Sequence, residues 1–189
     1  MKKTLLAGTF ILALLSLLSA CKNSTPTETI DKAVAEYQQS AKQTGMPSKG
    51  KADTLLQAYQ AFVDQNPNDA QTPEYLFKMG EIYQFHQQYD KGIATYQTII
   101  DKYPKYDKAP QAMFLMAFAY ENYLKDTNKA KTAYEAFLQK YPTHQLAKDA
   151  QFSLDNLGKT PEEVMEMILK KNKNATADSA AAKPKSKTK

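Results

Sequence analysis

The chain has 189 residues and a single cysteine, enough for one domain of ordinary size that buries roughly 68–70% of its unfolded surface without a metal or disulfide staple. The net charge of +5 is carried by the ends: Lys2 and Lys3, and seven Lys against Asp178 between Lys170 and Lys189, leave a mildly acidic body. Every cation is Lys, so the guanidinium fork that reads phosphates and guanines bidentately is missing and no nucleic-acid partner is expected.

The first element is MKKTLLAGTFILALLSLLSAC, with two Lys, an uncharged run from Thr4 to Ala20 and an apolar core from Leu5 to Leu18. That core is short for a span of about 20 residues and suits a secretory leader. Leu18-Ser19-Ala20-Cys21 resembles the bacterial lipobox, in which the cysteine thiol is acylated and the peptide is cut just before it. The resemblance implies a signal peptide over 1–20, a lipid such as palmitate on Cys21, and a mature protein that faces the periplasm from the outer membrane. A plain signal peptide or uncleaved anchor with an incidental cysteine is the competing reading. Residues 21–26 are polar and turn-rich and read as a tether.

Helix signals follow. Thr25-Pro26-Thr27-Glu28 and Thr160-Pro161-Glu162-Glu163 each place Thr as a cap, Pro at the first helical position and Glu at the third, a pattern that satisfies orphan backbone donors. Thr72-Pro73-Glu74 is a weaker version. Apolar residues recur at spacings of three and four, as in Leu76, Met79, Ile82 and Tyr83, which makes one face of a helix. The spacing predicts helices over 27–44, 52–66, 71–87, 90–103, 108–124, 127–141, 144–157 and 161–172, and an all-α fold.

The same landmarks return at offsets of 37 and 38: Tyr59, Tyr96 and Tyr134; Pro67, Pro104 and Pro142; Phe77, Phe114 and Phe152. A fixed period in the thirties with two helices per unit signals stacked helical hairpins that share a continuous core. Leu76, Met79, Gly80 and Tyr83, then Gly92, Tyr96, Ile99 and Pro104, resemble a tetratricopeptide repeat. Met113, Met116, Ala117, Tyr120, Ala130, Tyr134, Phe137 and Pro142 match it again. Ile99 and Phe137 stand where the family has Ala. The resemblance implies a right-handed superhelical stack of antiparallel helix pairs over 27–172, with full units at about 71–104 and 108–142 and partial units on each side. With the lipobox, it is similar to the repeat lipoproteins of the β-barrel assembly machinery and of the Tol-Pal-associated coordinator, though the chain is shorter than the first and lacks the coiled coil of the second.

No catalytic constellation emerges. His86 and His144 have no His or Cys at helical spacing to complete a metal site, the serines lie in no nucleophile elbow and the glycines in no phosphate loop. No enzyme activity, metal or cofactor is expected. The family geometry instead implies a groove for a protein or peptide partner, lined by Glu74, Phe77, Glu81 and Gln84, then Gln111, Phe114, Phe118 and Glu121, and continued by Phe152. Aromatic rings among carboxylates and amides suit anchoring, while a Phe at helical spacing also suits the core. The residues from 173 to 189 are low-complexity and are expected to be disordered. Their Lys residues make weak contact with cell-wall polymer or anionic lipid an alternative to a solvated end. The expected role is an anchored adaptor, with a subunit of an envelope assembly or coordination complex and a cell-wall tether as alternatives.

Overall fold

The computed structural model describes residues 25–181, with side chains through Lys173; the leader, Cys21 and the chain beyond 181 lie outside the described residues. Among the described residues there are eight helices and no strand. The chain divides after Gln65 into two units.

The first unit holds α1 (Pro26–Thr44) and α2 (Lys49–Gln65), which pack on each other. Thr25 and Glu28 close the expected capping box, and the left-handed Gly45 at φ 79° ends α1, a conformation that costs glycine nothing. The Ser40 hydroxyl accepts from the Ser48 amide at 2.9 Å, which ties down the connection. Buried side chains are Ile30 and Ala33 on α1 and Ala52, Leu55, Leu56, Tyr59 and Phe62 on α2. Helix α2 begins at Lys49, three residues before the expected start. Gly50 reads as a breaker, but its cost of about 1 kcal/mol belongs to helix interiors, and here it sits in the first turn.

The second unit holds α3 (Thr72–Phe85), α4 (Tyr89–Lys102), α5 (Ala109–Asn122), α6 (Thr127–Lys140), α7 (Ala147–Asn156) and α8 (Pro161–Ala181). Helices pack in sequence, α3 on α4, α4 on α5, α5 on α6 and α6 on α7, so this unit is a stack of antiparallel helix pairs. Tyr96, Ile99, Tyr134 and Phe137 are fully enclosed; the large residues at the two positions where the family pattern has Ala are absorbed into the core. Gly80 is what admits Tyr96. A Cβ there would lie 2.4 Å from the Tyr96 ring, closer than any carbon contact tolerates. The second pair has Ala117 at the matching position, also fully buried.

Each passage from one pair to the next uses the same turn. The Asp69 amide donates to Asn66 and the Thr72 amide to Asp69; Tyr106 donates to Tyr103 and Ala109 to Tyr106; His144 donates to Tyr141 and Ala147 to His144. Pro67, Pro104 and Pro142 each follow the first residue of the turn, where a residue without an amide hydrogen stops the helix. This turn is why the Tyr-Pro echo recurs.

Three expectations are corrected. Thr72 is not a cap: its hydroxyl donates to the Asn66 carbonyl and holds the turn instead. Helix α7 begins at Ala147 rather than 144, because 144–146 belong to the third turn, where the His144 ring nitrogen accepts from the Leu146 amide. The chain past 172 is not irregular from the outset, since α8 runs to Ala181. Thr160 and Glu163 cap its start as expected, and Ala175, Ala177, Ala180 and Ala181 extend it with the residue of highest helix propensity. No helix among the described residues is long and apolar enough to cross a membrane.

Candidate partner-binding groove

Glu74, near the start of α3, sits in a polar cluster built across the turn that leads to α5. Its carboxylate accepts from the Tyr106 hydroxyl and from the Lys108 ammonium at 2.8 Å, with Lys78 one helical turn away at 3.6 Å. Desolvation pushes the Glu74 carboxyl up, but the hydrogen bonds from Lys108 and Tyr106 outweigh it and hold the group below the usual carboxylate range. The same bond raises Lys108, while burial and then Glu74 push the Tyr106 phenol up. Lys108 also lies 5.2 Å over the Phe77 ring.

That arrangement overturns one predicted groove residue. Phe77 is only 3% exposed, enclosed by Tyr96 at 5.8 Å and Tyr106 at 6.4 Å, and it serves the core rather than a ligand. Glu81 keeps an exposed surface, and the protein crowded around its carboxyl raises it, against the pull of Lys108. Gln84 donates to the Leu115 carbonyl at 3.3 Å and so joins α3 to α5.

On α5, Gln111 is exposed and Phe114, Phe118 and Glu121 are half-buried. Phe114 packs edge-on to Tyr134 and Phe137 at 5.8 and 6.0 Å. Phe118 meets Tyr123 at 5.8 Å, and Tyr123 stacks on Tyr89 with centroids 4.3 Å apart. The Glu121 carboxylate accepts from the buried Tyr134 hydroxyl at 2.7 Å. The Tyr96 hydroxyl, the counterpart in the first pair, is buried with no hydrogen-bond partner. On α7, Phe152 is 53% exposed.

Phe114, Phe118 and Phe152 therefore keep ring surface at the positions predicted to line a groove, with Glu81, Gln111 and Glu121 among them. Sequence reasoning missed Tyr106 and Lys108, which lie in a turn rather than on a helix, and the exposed Phe85 and Tyr123. The echo itself held the signal for Tyr106: His144 occupies the same place one unit later and packs its ring on Phe137. His86 packs beside Phe85 at 5.1 Å, and no group of His, Cys, Asp and Glu suited to a metal occurs among the described residues.

A regular stack of antiparallel helix pairs defines a helical-repeat protein. Two segments, 74–106 and 111–144, match the tetratricopeptide repeat family, and they coincide with α3–α4 and α5–α6, each with its following turn. Tetratricopeptide repeats generally mediate protein–protein interaction and scaffolding. No curated protein matches the chain.

Proposed function

We propose that this protein is an adaptor that holds a protein or peptide partner in the groove lined by α3, α5 and α7, and that a lipid on Cys21 keeps it on the periplasmic face of the bacterial outer membrane. The observation that carries the binding reading is the row Phe114, Phe118 and Phe152 on successive repeats, with ring surface open and acids and amides interspersed. Aromatic anchors that rest on a rigid scaffold lose little conformational entropy when a partner covers them. The acidic and amide lining disfavours a ligand held by its carboxylate terminus. The leader and Cys21 support the anchor reading through their sequence alone.

The groove reading is tested by in-cell photo-crosslinking from Gln111, with mass spectrometry of the captured protein. Phe152→Ala removes an exposed ring without opening the core and is expected to weaken capture, together with Phe118→Ala, by about 2 kcal/mol or more. Undiminished capture by a double variant with an unchanged thermal melt overturns it. The anchor is tested separately: Cys21→Ala is expected to abolish metabolic labelling by fatty acid, and persistent labelling removes the lipid from Cys21.

A further inference from the structure

Helix α8 differs from the helices before it. Met165, Met167, Ile168 and Leu169 are 57, 46, 40 and 54% exposed, and α8 is not among the helix pairs that pack closely. At about 100° per residue, Val164, Met165, Ile168 and Leu169 share one arc, with Met167 at its edge and Lys171, at the C-terminal end of the patch, between Met167 and Val164 around the helix. A clustered apolar arc left in water marks a surface meant for covering.

The charges on α8 identify what covers it. Its first six residues carry Glu162, Glu163 and Glu166, and the stretch from 170 to 173 carries Lys170, Lys171 and Lys173. Around the helix, Glu162 and Lys173 flank one side of the apolar arc, and Glu163 and Lys170 flank the other. We propose that α8 pairs antiparallel with α8 of a second copy of this chain, about a two-fold axis near Met167. In an antiparallel helix pair like flanks face each other, so Glu162 meets Lys173 of the second copy and Glu163 meets Lys170 of the second copy. Both pairings centre within about a residue of Met167. A parallel pair brings unlike flanks together at equal height, which sets Glu162 beside Glu163 and Lys170 beside Lys173, all like charges. Antiparallel alignment also sets the helix dipoles head to tail. Lys170 already contacts Glu166 of its own helix at 2.6 Å, so Glu163 of the second copy completes a three-member network. The two-fold repeats every pairing, as an isologous interface requires.

The test uses the full chain expressed in cells as two differently tagged copies, one carrying Glu163→Cys and the other Lys170→Cys, with the unsubstituted chain controlling for Cys21. Mild oxidation is expected to give the mixed disulfide in clear excess over either same-site disulfide. A same-site excess signals a parallel pair and overturns the proposal, as does no mixed product above the control. For the purified full chain in detergent, sedimentation equilibrium is expected to show dimer association weakened about tenfold or more by Glu163→Lys. Two pairs turn repulsive at once, and 1.4 kcal/mol corresponds to tenfold. Adding Lys170→Glu is expected to restore it, which a merely misfolded single variant would not permit. If Glu163→Lys leaves a monomer–dimer equilibrium unmoved while Lys170→Glu releases the chain from phosphatidylglycerol vesicles, α8 lies on a membrane and the pairing is wrong. A crosslink from Ile168 to Phe152 within one chain assigns the arc to α7 and overturns it equally.

Discussion

Tyr96 and Tyr134 occupy the same place in successive helix pairs, are both fully buried, and differ in what their hydroxyls find. The Tyr134 hydroxyl donates to Glu121; that of Tyr96 has no partner. A buried hydroxyl without a bond carries its desolvation cost unrelieved, whereas removal of one partner from a good bond forfeits about 1 kcal/mol or more. Tyr96→Phe is therefore expected to leave stability unchanged or raise it, and Tyr134→Phe to lower it by about 1–2 kcal/mol. Urea unfolding of both variants checks the contrast, and equal losses would show that the two hydroxyls have equivalent surroundings. Glu74 gives a second expectation at this scale. Its folded-state carboxyl is held below the ordinary value of 4.5, so its contribution is complete above that value and is lost as pH falls through the depressed folded value. Glu74→Gln, which does not titrate, is expected to lose less stability than the native chain when unfolding is followed from neutral pH to below the ordinary carboxylate range. Parallel losses would mean that Lys108 and Tyr106 do not hold the charge.

The helix pair is the scale at which small residues matter. Gly80 and Gly92 let α3 and α4 approach, with a Cβ on Gly92 falling 3.1 Å from Gln84 and 3.3 Å from the Gly80 carbonyl. Ala at position 80 would raise helix propensity by about 1 kcal/mol, but the ring of Tyr96 stands where the methyl must go. Overpacking of this kind costs about 1–3 kcal/mol, so Gly80→Ala is expected to destabilise and to perturb Tyr96. A thermal melt with tyrosine fluorescence measures both, and an unchanged or higher melting temperature would mean that the ring moves aside freely. Much at this scale was legible beforehand. The Tyr, Phe and Pro landmarks recur at fixed offsets, and a period in the thirties has few architectural solutions. Where the reading failed, the cause was a contact between elements. Phe77 shares its offset with Phe114 and Phe152 yet is sealed by Tyr106 and Lys108, which arrive from a turn roughly thirty residues later. Nothing local to α3 distinguishes a ring covered by that turn from one left open. The start of α7 moved for a similar reason, because His144 and Leu146 alternate between helix and turn chemistry until the preceding turns supply the template.

At the scale of the second unit, stability falls off along the stack. The large fully enclosed side chains belong to α3, α4 and α6, and α5 adds fully buried alanines; α7 contributes only Ala150 to the core, and α8 contributes nothing among its described side chains. Opening free energies track buried apolar contact, so amide hydrogen exchange is expected to be slowest in α3 to α6 and fastest in α8. Exchange as slow in α8 as in α5 would indicate that a partner covers it, and under dilution the protection would identify whether that partner is a second copy.

The thrice-used turn at 66–72, 103–109 and 141–147 has a consequence for how such a chain changes length. Because each joint presents the next helix with the same hydrogen-bond template, a segment cut at one joint ends in the geometry that another joint expects. A gene duplication of residues 104–141 would insert a ready-made cassette, its Tyr141 meeting a second Pro104 as Tyr103 meets the first. The spliced joint creates no new loop to be optimised, and neighbouring cassettes bury the added face. Growth by whole units is thereby open to this architecture at little risk, whereas an insertion that breaks the count of 37 or 38 would put every later aromatic out of step with its socket.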